Sequence, residues 1–229
     1  MRLPGLFRAA RWTSLALLAS TGCATAGASL DHPEPKAPAA VVVDAAARAP
    51  ASSPEAAPSP AATGDEPQPI SIPVPGTDLV HGRATVKVNA PIEKVRESVL
   101  DFGHYAEFMP HYRSARVLGR TATGARDVYM EIEALYGAVK MWVEIEFPKP
   151  TIVDGVETHE SHFVKGNVKD FKAIWRLRKL DEATTELSLE VFLQPPFPMP
   201  ASLMNGENLG GSVKGVTAMR ARVEGALAR

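Results

Sequence analysis

The hydrophobic positions of this chain change period more than once. Ala84, Val86 and Val88 alternate with Arg83, Thr85 and Lys87, the period-2 signature of a half-buried strand. Asn89-Ala90-Pro91 then opens a helix, with Asn89 placed to cap it and Pro91 suited to the first turn. Ile92, Val95, Val99 and Leu100 form its apolar face, and a short helical turn over residues 105–109 is stopped by Pro110. Period 2 returns over residues 114–121, 127–135, 138–147, 169–180 and 184–194, with a weaker segment at 151–163. Short breakers lie between these segments, so neighbours are expected to pair antiparallel. After residues 195–200 the period turns helical: Leu209, Val213, Val216, Met219, Val223 and Leu227 recur at steps of three and four. This order predicts an α+β domain over residues 80–229. A curved antiparallel sheet of about seven strands around the C-terminal helix would bury both apolar faces.

Composition changes the reading of everything before residue 80. Most of the 20 prolines fall there, and residues 33–75 are rich in Ala and Pro with no aromatic side chain. Such a sequence cannot bury enough apolar surface to offset backbone ordering, so residues 23–79 read as a disordered linker. Residues 1–22 read as a signal peptide: Arg2, Arg8 and Arg11, then an apolar run from Trp12 to Ala19, then Ser20-Thr21-Gly22. The run is too short to span a bilayer. Cys23 is the single cysteine, which excludes a disulfide within the chain and a thiolate zinc cluster. A formal net charge of -1 with both signs interspersed argues against a nucleic-acid partner.

The candidate chemistry is sparse. His159 and His162 invite a metal reading, but positions i and i+3 of a strand face opposite ways, so no metal site is expected. His104 and His111 flank the 105–109 turn, where either fits a general base or a solvated side chain. Tyr129, Glu131, Glu133 and Arg176 would be polar candidates for a cavity, yet alternation points them away from the apolar face. No nucleophile–base–orienter set, phosphate loop or dinucleotide fingerprint is visible, so neither a catalytic residue nor a cofactor is assigned.

Two resemblances add to this. Small residues directly before Cys23 resemble the lipobox of bacterial lipoproteins, which implies cleavage there and acylation of the cysteine. Ser20 departs from that pattern, where leucine is usual, and cleavage after Ala24-Thr25-Ala26 without an anchor is the alternative. Ala24 after the cysteine resembles the sorting pattern that leads to the periplasmic side of the outer membrane. The second resemblance is to the START-like helix-grip superfamily. It is carried by Asn89-Ala90-Pro91-Ile92-Glu93-Lys94-Val95, then Asp101, Tyr105, Phe108 and Pro110. It implies a deep apolar cavity between the sheet and the long helix, able to take a lipid, a quinone or a polyketide-like molecule.

The expected liners of that cavity are Phe108, Met109, Tyr112, Met130, Ile132, Met141, Val143, Trp175, Leu177, Leu209, Val213 and Val216, each of which also fits as ordinary core. Gly206, Gly210, Gly211 and Gly215 weaken the first half of the C-terminal helix. They serve either close packing or a hinged gate, with Phe197, Met199, Leu203 and Met204 at its mouth. The expectation is a monomeric, non-catalytic carrier of a hydrophobic molecule, held to a membrane through Cys23. A cyclase- or dehydratase-like enzyme, and an interaction module with a filled cavity, are the alternatives.

Overall fold

The computed structural model describes residues 66–134 and 137–225. The signal peptide, Cys23, most of the linker and Leu227 therefore lie outside the described residues. Ten strands, numbered in chain order, form two antiparallel sheets. The first sheet runs β1 (Gln68–Pro73), β2 (Val80–Val88), β10 (Thr185–Gln194), β9 (Asp170–Lys179), β7 (Val156–Glu160) and β6 (Thr151–Val153) from edge to edge. The second runs β3 (Tyr112–Arg120), β4 (Arg126–Ala134), β5 (Val139–Phe147) and β8 (His162–Gly166). Helix α1 (Ile92–Val99), a 3-10 turn (Phe102–His104) and α2 (Tyr105–Phe108) link the sheets, and α3 (Ala201–Glu224) closes the chain. The expected α+β helix-grip architecture is observed, with ten strands in two sheets where one curved sheet of about seven was expected.

Three local expectations need correction. The ordered domain begins before residue 80, because β1 pairs with β2 from Gln68↔Thr85 to Pro73↔Val80. Ile70 and Ile72 are half-buried there, and an edge strand tolerates the flanking Pro69 and Pro73, whose presence hid the alternation. Asn89 does not cap α1: the N-cap position is Pro91, without a side-chain bond, and the Asn89 backbone N–H donates to Glu224 Oε1 at 2.7 Å. The weak segment at 151–163 is not one strand. Asp154 (φ 49°) and Gly155 (φ 75°) make a two-residue hairpin turn, since both positions need positive φ. Ser161 then carries the chain from one sheet to the other. Its N–H donates to Ala173 O at 2.9 Å, and its Oγ accepts from Ala173 N at 2.8 Å.

The core lies between the two sheets and α3. Val86, Val95, Val99, Phe102, Tyr105, Val128, Ile145, Leu177, Leu187, Val216 and Met219 have 1% exposure or less. Two glycines set the approach of helix to sheet. A Cβ on Gly82 would overlap the Asn208 backbone, and one on Gly215 would sit 2.5 Å from Leu189 Cδ2. Side-chain amides fasten the same contact: Asn208 accepts from Leu193 N (3.0 Å) and donates to Val80 O (3.1 Å). Asn205 accepts from Val80 N (2.9 Å) and donates to Asp78 O (2.9 Å). Gly206, Gly210 and Gly211 have open space where a Cβ would go.

The outer face of the six-stranded sheet is polar yet covered. Glu190 receives His81 Nδ1 at 2.8 Å, Arg83 at 2.7 Å and Arg176 at 2.9 Å. Burial alone would raise its pKa. The hydrogen bonds from His81 and Arg83 and the charges of both arginines outweigh that and hold the carboxyl well below the usual range.

The two kinds of glycine are expected to separate in thermal or denaturant melts. Gly82→Ala should destabilise by about 3 kcal/mol, as overpacking against backbone does. Gly210→Ala should stabilise by about 1 kcal/mol through helix propensity. Equal effects of the two substitutions would contradict the contact described here.

Candidate functional site

An apolar pocket of about 80 Å³ opens beneath the first half of α3. The ends of three strands and the loop after α2 build its walls: Met109, Tyr112, Ile132, Ala134, Phe171, Leu189, Val191 and Leu193. The helix contributes Glu207, Asn208, Gly211 and Gly215; the missing side chain of Gly211 leaves open space, whereas that of Gly215 lets Leu189 close in. A smaller adjoining void of about 20 Å³ shares Ala134, Leu193 and Glu207, and adds Val139, Met141, Pro195, Phe197, Met199 and Met204. Phe197 is 38% exposed, so the outer lip of the smaller void is apolar as well; Leu203, 43% exposed, lines neither void.

Of the twelve expected liners, Met109, Tyr112 and Ile132 line the larger pocket and Met141 the smaller. Met130, Val143, Trp175, Leu177 and Val216 are fully buried core instead. Phe108 packs on the core flank with the Arg222 guanidinium 5.3 Å from its ring centroid. Leu209 sits where α3 meets Gly82, and Val213 packs partly buried on the core. Period 2 identifies the inward face of a strand but not depth along it. Phe171, Val191 and Leu193 share a face with Trp175 and Leu187, but stand at the strand ends nearest residues 195–200, and that proximity was the available signal.

Polar groups meet the pocket at its rim, and most are engaged. Glu133 accepts from Arg113 at 2.6 Å, so this carboxylate reaches the rim although alternation pointed it away. His111, in the left-handed region at φ 71°, has Nε2 3.2 Å from Lys214 Nζ. Asn208 is committed to β2 and β10. The Tyr112 hydroxyl has no hydrogen-bond partner among the described residues, and burial pushes its pKa up to about 12, so it stays a neutral donor. The remaining candidates lie elsewhere. Tyr129 donates to Glu131 at 2.9 Å on the outer face of the second sheet, and Arg176 belongs to the Glu190 network. His104 is exposed and bonded to Asp101 at 2.7 Å; that hydrogen bond raises its pKa.

His159 and His162 stand on different strands of different sheets, not on the one strand expected: His162 is exposed on β8, whereas His159 is 2% exposed on the inner face of β7. His159 Nε2 lies 2.6 Å from Glu157 Oε1, and Glu157 also receives Arg96 in a bidentate pair at 2.6–2.9 Å. The hydrogen bond from Arg96 holds Glu157 below the usual carboxylate range. Burial lowers the pKa of His159 and outweighs the pull of Glu157. The imidazole is therefore neutral, with its proton on Nε2. Sequence reasoning missed this triad because its members are spread over α1 and β7.

Two sheets gripping one long helix, with an apolar pocket under that helix, define a START-like hydrophobic-ligand-binding fold. The chain belongs to the family described as polyketide cyclase / dehydrase and lipid transport, whose model matches residues 88–206. A STAR-related lipid transfer protein fragment from Xanthomonas axonopodis superposes with a TM-score of 0.61 at 17% identity, covering 70% of this chain and 95% of that one. Human StAR-related lipid transfer protein 5 gives a TM-score of 0.60 at 9% identity over 70% and 83% of the two chains. A START superfamily protein from Mycobacterium smegmatis gives 0.53 at 19% identity over 64% and 98%. At these identities the likeness is one of fold. No curated protein matches the chain by sequence.

The two shifted histidines predict opposite titrations, readable by side-chain NMR. His159 should titrate below 6.5 and His104 above it. In linkage terms, a depressed folded pKa makes His159 cost stability as pH falls from 6.5 through its folded value. The raised pKa of His104 adds stability at low pH that is lost as pH rises. His159→Gln should therefore flatten the acid-side decline of stability just below pH 6.5, and an unchanged slope would contradict a buried neutral ring.

Proposed function

We propose that this chain is a non-catalytic carrier of a hydrophobic molecule (a lipid, a quinone or a polyketide-like compound), tethered to the cell envelope through an acylated Cys23. The observation that carries the reading is the apolar pocket under α3, where Glu133, His111 and Asn208 already have protein partners and Glu207 is the remaining carboxylate. Removing apolar ligand surface from water there contributes about 25 cal/mol per Å². The Tyr112 hydroxyl would hold one polar end. The words "lipid transfer protein" in the names of two structural relatives support the same direction.

At about 80 Å³ the pocket is well below the roughly 300 Å³ of a small-molecule site. Loading therefore requires α3 to lift. Gly206, Gly210 and Gly211 make no close contact where a Cβ would go, so the first half of the helix can lift once the Asn205 and Asn208 bonds and the Gly82 contact release, while Gly215 and the residues after it stay seated. The ligand enters past Phe197, Met199, Leu203 and Met204, and the tether keeps the domain near its source. The expected location is the periplasmic side of the outer membrane, with the protein a monomer.

The test is native mass spectrometry with lipid extraction on the full chain purified gently from membranes. A co-purifying hydrophobic molecule, lost in a Val191→Phe variant that folds normally, is the expected result. A clean apo mass with no shift on adding lipids or quinones would point to a closed interaction module. A bound molecule recovered chemically altered would point to a cyclase-like enzyme. In the same preparation Cys23→Ala should release the chain from the membrane. Amide exchange should run faster across residues 201–215 than across 216–225; uniform protection would rule the gate out.

A further inference from the structure

A second recess, of about 160 Å³, lies at the start of β4, six residues and roughly 20 Å from the apolar pocket's Ile132. Arg120, Arg126, Lys149 and His159 line it, and no carboxylate does. Arg120 and Arg126 are direct cross-strand partners on β3 and β4. Like charges placed opposite each other are unfavourable unless something between them is negative. Each guanidinium gives one N–H to a backbone carbonyl, Arg120 to Gly124 O (3.1 Å) and Arg126 to Leu100 O (2.9 Å). The rest of each fork is unspent. None of Arg120, Arg126 and Lys149 has an ion-pair partner among the described residues, whereas Arg83, Arg96, Arg113, Arg176 and Arg178 all have one. Arg126 also borders a wider groove containing Glu97 and Asp101, but Asp101 is taken by His104 and Glu97 is exposed.

His159 brings the complementary group. Its Nε2 carries the proton shared with Glu157, so Nδ1, which has no hydrogen-bond partner among the described residues, holds a lone pair. Three cationic donors and one neutral acceptor suit an oxyanion that still bears a proton. Phosphate and phosphomonoesters do so near neutral pH; sulfate does not.

We propose that this recess binds a phosphate group, as the free anion or as a phosphomonoester, with Arg120, Arg126 and Lys149 donating to its oxygens and His159 Nδ1 accepting its remaining proton. Arginine forks and a lysine point charge are the ordinary means of holding such a group. The phosphate has two possible sources, a soluble ligand or a lipid headgroup. The second is within reach because Ile152 and Val153, three and four residues beyond Lys149, are 71% and 64% exposed and would face acyl chains. The site is independent of what occupies the apolar pocket.

The experiment is calorimetry on the full chain with inorganic phosphate and with sulfate near pH 6.5, beside binding to phosphatidylcholine vesicles with and without phosphatidic acid. Phosphate should bind about tenfold more tightly than sulfate. Arg120→Gln and Lys149→Gln, both at exposed positions, should each weaken phosphate about tenfold, the loss of one charge-assisted bond. His159→Gln should shrink the gap between the two anions. Vesicle binding that depends on phosphatidic acid and is competed by inorganic phosphate assigns the group to a lipid. Phosphate binding without it assigns a soluble ligand. No heat with inorganic phosphate, or equal affinity for both anions unchanged in Arg120→Gln, overturns the proposal.

Discussion

Gly82 lets the backbone of β2 lie directly against the backbone of α3 at Asn208, and the rest of the architecture is arranged around that contact. A helix pinned this tightly at one point cannot also follow the curve of a twisted sheet along its whole length. Farther along, Gly215 permits a second close approach against Leu189. Between and beside these points the helix presents Gly211 to the strand ends and a void remains. The pocket is thus a geometric residue of two near contacts. Asn205 and Asn208 make the pin specific by satisfying Val80 and Leu193, whose backbone groups would otherwise be left unpaired at the end of β-pairing.

Charge is handled differently on the two sides of this pin. On the outer face of the six-stranded sheet, arginines and glutamates cancel in dense groups, with Glu190 shared among three partners. At the start of β4 the cancellation stops, and Arg120, Arg126 and Lys149 have no ion-pair partner among the described residues. A net charge of -1 conceals that asymmetry, because it averages over positions that the fold separates. The His159–Glu157–Arg96 chain marks the border between the two regimes. Its carboxylate is used up by its own partners, so it cannot neutralise the cations beyond it.

The fold was largely legible because the inward faces of β2, β4, β5, β9 and β10 keep period 2 over many residues, and α3 keeps its apolar spacing through Val216, Met219 and Val223. The first half of α3 buries Asn208, Ser212 and Gly215 instead of Leu209 and Val213. Short elements were not. β1 hid in a proline-rich stretch, and β6 to β8 ran together because Asp154-Gly155 was not recognised as a hairpin turn. The pocket was legible only in part, with four of twelve expected liners bordering it. Met109, Tyr112, Ile132 and Met141 were found, while Val143, Trp175 and Leu177 proved to be core, since sequence gives the face of a side chain and not its distance from the helix. Glu133 and the Arg120–Arg126 pair escaped for a related reason. What matters for them is which strand end they share, and that depends on register.

The chain enters this domain through β1, an edge strand of six residues whose partner, β2, holds the Gly82 contact. Any pull on the residues before Gln68 is therefore applied to a terminal ladder, and an antiparallel edge strand pulled from its free end opens one bond pair at a time. Such a ladder yields at low force and stops at the turn before Val80, where the two asparagines of α3 take the load. Mechanically, β1 is a short extensible segment in series with a stiff clamp, so tension would lengthen the lead before it disturbed the helix that covers the pocket.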